Sequence, residues 1–279
     1  ALLDLLPDVT HVPFRPNADK SVQWQAMRLA DQHDLVKAAD WVLFFDCDEF
    51  LCLQAPMRTF DDLLASVPLS TDAIALPWRL FGANRRDVFD DQLTVKRFTS
   101  AAPEPFFLPA GHFFKTLFRP KAFQKIGVHR PKGKGSHQAV WNFAGIHPAP
   151  DDFAENARLN HYSLRSAAEF MVKRGRGLPN RTTKTLDLHY WAERNFNVVE
   201  DRTIDPMVGN TIAEMNRLRA LPGVDTAHQN AVQKHQDAFT ALMSDPDQIQ
   251  FYWHLILLGG STPPTPEQAQ AHLARHAKR

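Results

Sequence analysis

A short, unbroken apolar run, Trp41-Val-Leu-Phe-Phe45, stops abruptly at Asp46-Cys-Asp48-Glu49. Its length and its aromatic and β-branched content predict a strand buried on both faces. Such a strand needs cover on either side, and in open α/β sheets ligands bind beyond the carboxyl ends of the strands. Three acids at that point repel one another unless a cation or basic groups answer them. Hard divalent cations take oxygen ligands of this kind, commonly one or two carboxylates together with substrate phosphates.

The rest of the chain frames this strand. Ala1–Leu6 reads as a helix already under way. Val9–Phe14 reads as an edge strand, demoted by Pro13. Ser21 to Lys37 carries apolar residues at helical spacing. Thr59 to Val67 reads as a short amphipathic helix. Ala73–Trp78, Thr94–Phe98, Phe113–Phe118 and Ala139–Phe143 read as strands, the last two flanking a Gly/Lys-rich loop, Lys132-Gly-Lys-Gly-Ser136. That loop suits either a solvated hairpin tip or a flexible anion contact; it lacks the spacing of a phosphate loop. Beyond His161 the pattern turns helical. Ser166 with Glu169 forms a capping-box signature, with Gly175 as a stop. Helices are expected over Thr211–Ala220, Thr226–Met243, Asp245–Leu258 and Thr265–Ala277. The order predicts an α/β, Rossmann-like, mostly parallel sheet over residues 1–180, with a helical C-terminal extension over 181–279.

Composition removes other classes. The 279 residues carry 32 Lys+Arg against 31 Asp+Glu, a net charge of +1. A nucleic-acid binder would show a strong basic excess, so no nucleic-acid partner is expected. No apolar run approaches the roughly 18–20 residues that span a bilayer, so no transmembrane segment is expected. The cysteines, Cys47 and Cys52, are too close and too few for a disulfide framework, and a reducing, cytoplasmic compartment is the expectation. Ala1 opens the chain without a basic n-region, unlike a signal peptide.

A bare Asp-x-Asp carries little information, and the chain holds two. Asp245-Pro-Asp247 opens a helix and reads as a cap. Asp46-Cys-Asp48 is distinguished by its strand. In that context Trp41–Phe50 resembles the "D-W-hydrophobic-D-x-D-E-F" segment of family 2 glycosyltransferases of the GT-A fold, close to the family 92 branch. Two later segments are similar to the same family in the same order. One is Phe114-Lys-Thr-Leu-Phe-Arg-Pro120 with Val128-His129. The other is Asn160-His-Tyr-Ser-Leu-Arg-Ser-Ala-Ala-Glu-Phe170 with Lys173, Arg174 and Gly175. The family's usual opening strand and its nucleotide loop, ending "S-T-D-G-T", have no counterpart here. On the resemblance, a chain lacking both is expected to have an unpaired sheet edge, an incomplete base pocket and a tendency to associate as a homo-oligomer.

The resemblance implies a GT-A-like fold and a metal-dependent, inverting transfer of a sugar from a nucleotide-sugar donor to a saccharide or other hydroxyl acceptor. The implied cofactor is Mn²⁺ or Mg²⁺, held by Asp48 or Asp46, the other acid meeting the ribose, with His161 as a third ligand. Lys115, Arg119, Lys173 and Arg174 are the implied phosphate contacts, by a bidentate fork from Arg or a point charge from Lys. His129 is a weaker candidate. The general base is not selected by spacing. Glu49, Asp87, Glu104, Asp151 and Asp152 all qualify, and Glu49 is chosen because it adjoins the metal acids. Two other classes stay open. One is a non-catalytic sugar- or nucleotide-binding relic of the fold. The other is a haloacid-dehalogenase-type phosphatase, disfavoured by the bulk of Glu49 and Phe50 beside the acids.

Overall fold

The structure, a computed structural model, describes residues 2–17, 19–104, 106, 108–133, 156–177 and 186–276. The strand expected over Ala139–Phe143, the Lys134–Ser136 part of the loop, and Asp151 and Asp152 lie outside these residues.

Helix α1 (Val22–Gln32) starts at Ser21, whose side chain accepts the Trp24 N–H. The expected single helix to Lys37 is broken at His33, which has extended backbone and caps α2 (Asp34–Ala38) with its ring nitrogen. Strand β1 (Val42–Leu43) follows, then β2 (Glu49–Leu53) and α3 (Phe60–Ala65), the last with a full capping box between Thr59 and Asp62. Next come β3 (Ala73–Leu80), α4 (Thr94–Arg97), β4 (Ser100–Ala101), β5 (Phe114–Phe118) and β6 (Ala157–His161). Val9–Phe14 forms no strand and is exposed, and Ala1–Leu6 shortens to one 3₁₀ turn, Leu2–Leu5.

The main sheet runs β1-β5-β3-β6-β2. It is mixed: β3 and β6 are parallel, whereas β1–β5, β5–β3 and β6–β2 are antiparallel. The expectation of a mostly parallel sheet therefore holds only for β3–β6. The sequence reading missed β2 and β6; β5 runs against both β1 and β3, and β2 against β6, so antiparallel pairs dominate. The pairing directions place the carboxyl ends of β1, β3 and β6 on one edge, beside the amino ends of β5 and β2. Residues 44–48 link β1 to β2, which sit at opposite sides of the sheet. The link leaves the carboxyl end of β1 and enters the amino end of β2 on that same edge, so it carries Asp46 and Asp48 there.

The sheet packs on both faces. Ile74 and Leu76 of β3 join Leu63, Leu117 and Leu159 on one side; Ala73 and Ala75 join Met27, Phe114 and Phe118 on the other. Ile74, Leu76 and Leu159 are at most 1% exposed. Each such side chain contributes about 1.5–3 kcal/mol by leaving water. β1 divides likewise, Trp41 and Leu43 to the first cluster, Val42 and Phe44 to the second. Two-faced packing is thus present, but β1 is at the edge of the sheet, its residues are half-buried and Phe45 is 52% exposed.

The segment Thr94–Phe98, expected as a strand, is the helix α4. Val95 and Phe98, three apart, both enter the core, and Arg97 reaches the buried Glu169 with two hydrogen bonds of 2.7 and 2.9 Å. These contacts outweigh the β-propensity of Thr94 and Val95.

Helix α5 (Ala167–Arg176) carries the expected Ser166–Glu169 capping box but stops at Gly177, φ +81°, rather than at Gly175. After α6 (Leu188–Ala192), β7 (Val199–Glu200) pairs with β4. The chain beyond residue 180 therefore returns a strand to the α/β part before its helices begin. These are α7 (Asp205–Arg219), α8 (Val224–Leu242), α9 (Pro246–Leu257) and α10 (Pro266–His276). Asp245 caps α9 through the Asp247 N–H, as read from the sequence. Trp191, Phe170, Met171 and Leu255 form a shared core that seats α8 and α9 on α5. No helix among the described residues is long and apolar enough to cross a membrane.

Candidate functional site

The link over the sheet edge is a tight turn. The Glu49 N–H donates to Asp46 O, and the Asp46 N–H donates back to Glu49 Oε2, both at 3.0 Å. Glu49 is 2% exposed, and burial, against the pull of Lys115, pushes its pKa up to about 8. It acts on the turn rather than presenting itself to a ligand.

Asp46 and Asp48 point to different partners. The Asp46 carboxylate accepts Gln23 Nε2 and Lys115 Nζ, each at 2.9 Å. Lys115 is fully buried in β5, 3.7 Å from Glu49 and over the Phe44 ring. Asp48 Oδ2 accepts Lys173 Nζ at 2.9 Å, and Oδ1 lies 3.7 Å from His161 Nε2. Lys173 also donates to Ser163 O at 2.8 Å. Burial favours a neutral Asp48, but His161, charged only in the acid range where Asp48 titrates, and the Lys173 ammonium win and hold its pKa at about 2. Burial also drives His161 down to about 3, so the imidazole is neutral near pH 7. The two lysines thus answer the acidic cluster.

Trp78 of β3 lies against His161, ring centroids 4.1 Å apart, and also touches Phe113 and His129. His129 Nδ1 lies 3.0 Å from Phe114 O; a carbonyl only accepts, so Nδ1 carries the proton and donates it here. Packed in this way, His129 is part of the wall.

The predicted residues divide accordingly. Asp46, Asp48, Glu49, Lys115, His161 and Lys173 converge on one edge. Arg174 turns away, bonding Leu186 O and Gln248 and covering the Phe251 ring. Arg119 bonds Thr71 O and stacks on Trp41. Both are held by the fold and not by the site. Glu104 pairs with Arg79 at 3.1 Å, and Asp87 O accepts the Ala168 N–H of α5. Lys132 pairs with Lys125 in a bridge and lies over Trp24. Gln23 and Trp78 were missed by sequence reasoning; nothing in spacing marks Gln23, while Trp78, an aromatic near the end of a buried strand, was a legible signal.

Among the described residues no group of three or more His, Cys, Asp and Glu is placed to hold a metal ion. The set Asp46, Asp48 and His161 is not brought together, because Lys115 and Gln23 hold Asp46 aside. Asp48 and His161 alone fit as a pair. Ligands about 2.1 Å from one ion stand about 3–4 Å apart, and a neutral imidazole keeps a lone pair to offer. No family model, curated protein or solved structure matches the chain.

Proposed function

We propose that the chain is a metal-dependent, inverting glycosyltransferase that uses a nucleotide-sugar donor and an acceptor hydroxyl. One observation carries the reading. Three segments that resemble the family in sequence meet at one point, with Asp46 on Lys115 and Asp48 on both His161 and Lys173, across sequence separations of 69 and 125 residues for the two lysine bonds. A set of mere strand-end acids would have no reason to gather those segments.

Asp48 and His161 would hold a Mn²⁺ or Mg²⁺ ion, which when bound supplies an electrophile for the charge developing on the leaving diphosphate. Lys173 keeps Asp48 ionised and adds a second positive charge at the same edge. Asp46, fixed by Gln23 and Lys115 and 37% exposed, is left to meet the ribose. Trp78 and His161 provide a stiff wall beside the reacting centre. In the reaction the anomeric carbon exchanges its bond to the diphosphate oxygen for one to the acceptor oxygen, whose proton passes to a base.

The burial of Glu49 favours a second reading, a non-catalytic sugar- or nucleotide-binding protein, since the chosen base is not presented to a ligand. A thermal-shift panel of UDP-, GDP-, CMP- and dTDP-sugars with and without Mn²⁺, followed by donor-consumption assays, separates the two. Specific stabilisation with turnover supports the transferase, and stabilisation without turnover of any donor supports the binding protein. No stabilisation by any of them defeats both.

A further inference from the structure

Asp48, but not Asp46, borders a cleft of about 150 Å³ formed by the segment leading into α5, by α5 itself and by His235 of helix α8. Asp48, Ser163, Arg165, Lys173, Arg176 and His235 line it. Its charges do not cancel. Glu169 is held by both nitrogens of the Arg97 fork, at 2.7 and 2.9 Å, and Asp48 is held by Lys173. Among the described residues the nearest ion-pair partner of Arg165 is the already occupied Glu169, at 4.0 Å. Arg176 makes no ion pair or hydrogen bond among the described residues. Two guanidinium groups are therefore left in excess on one short stretch. Ser163 is 1% exposed, and its Oγ has no hydrogen-bond partner among the described residues; neither has the buried Nε2 of His235. Unpaired buried polar atoms cost free energy unless something answers them. Arg165 also holds a left-handed backbone, φ +59°, the kind of local strain that persists where surrounding structure enforces it.

We propose that this cleft is an anion subsite that takes a phosphate or carboxylate group carried by the acceptor, gripped by Arg165 and Arg176. Guanidinium forks match such oxyanions with paired donors, and Ser163 and His235 can add hydrogen bonds. The assignment to the acceptor rests on the glycosyl-transfer reading, in which the nucleotide lies towards Asp46; anion binding by itself does not.

Cys47 supplies the reporter. It lines the cleft and is exposed, whereas Cys52 is buried. Inorganic phosphate, at matched ionic strength, should slow labelling of Cys47 by a neutral disulfide reagent and give a calorimetric binding isotherm. Arg165→Gln and Arg176→Gln should each weaken phosphate binding roughly tenfold, the loss of a charged hydrogen-bonding group. Arg176 is exposed and unpartnered, so its variant keeps the test valid should Arg165→Gln fail to fold. Unchanged Cys47 labelling with phosphate in the wild type, or protection that survives Arg176→Gln undiminished, overturns the subsite. Saturating UDP or GDP should leave phosphate affinity unaltered; direct competition would move the anion to the donor and overturn the acceptor assignment. Phosphate binding with no nucleotide binding to the same protein would instead sink the transferase reading and leave the anion site standing.

Discussion

Replacing Lys173 by Met tests the centre of the site, because it removes the ammonium while keeping most of the apolar stem. Two hydrogen bonds disappear, to Asp48 Oδ2 at 2.9 Å and to Ser163 O at 2.8 Å. Both are donated by the charged ammonium, and a hydrogen bond that involves a charged group is worth about 1.5–3 kcal/mol. The two side chains are 19% and 17% exposed, so water screens part of the loss. His161, neutral near pH 7, offers Asp48 no replacement charge. The expected destabilisation is about 2–4 kcal/mol, read as a lower urea midpoint at unchanged slope. Asp48→Asn in the same background should be coupled to it by about 1 kcal/mol or more. If Asp48 and His161 hold a divalent ion, Mn²⁺ should restore part of the lost stability. An ion at a hundred times its dissociation constant adds about 2.7 kcal/mol. A Lys173→Met protein within about 0.5 kcal/mol of wild type, with no coupling to Asp48→Asn, would refute the account of how this acidic cluster is balanced.

Asp48→Asn should lower metal-dependent donor turnover by about 10²–10³, the usual worth of one electrostatic group aimed at developing charge; unaltered Mn²⁺ dependence would remove Asp48 from the mechanism. Glu49→Gln should keep the bond to the Asp46 N–H and most of the turnover, whereas a loss of 10² or more would make Glu49 the base after all. Stability should peak between about pH 4.5 and 6.5. The unfolded chain binds a proton on His161 that the native state refuses until about pH 3, so stability is lost as pH falls through that range, and Asp48 adds to the loss below about 4. Glu49 acts oppositely: the native carboxyl keeps its proton up to about 8, the unfolded one releases it near 4.5, and stability falls as pH rises between them. The two slopes, each at most about 1.4 kcal/mol per pH unit, oppose each other where they overlap. Chemical denaturation across pH should show the alkaline limb flattened in Glu49→Gln, and a wild type equally stable at pH 5.5 and 8.5 would contradict it. Arg97→Met should cost about 3–5 kcal/mol, since it strands a buried Glu169 that retains its Ser166 contacts and only a distant cation, Arg165 at 4.0 Å; a midpoint shift under 1 kcal/mol would show the pair to be dispensable.

Local chemistry was enough to locate several elements. Thr59, Ser166 and Asp245 announced helix starts because a cap is a contact between residues two or three apart. The apolar run before Asp46 announced a strand end for the same reason, and placed the two acids at the edge where the structure has them. Contacts that join distant residues were out of reach. Thr94–Phe98 has the composition of a strand, and only Glu169, 72 residues from Arg97, makes it a helix. β2 and β6 are short and interrupted by polar residues, Glu49, Arg158 and Asn160, that read as loop until the partner strand is known. Among the cations, the sequence could nominate Lys115, Arg119, Lys173 and Arg174 alike. Which of them meets an acid depends on the direction each side chain takes from its element. Neighbouring positions on one helix send Lys173 to Asp48 and Arg174 to Gln248. Successive helical residues point about 100° apart, so only the seating of α5 between the turn that carries Asp48 and helix α9 decides which residue serves the site.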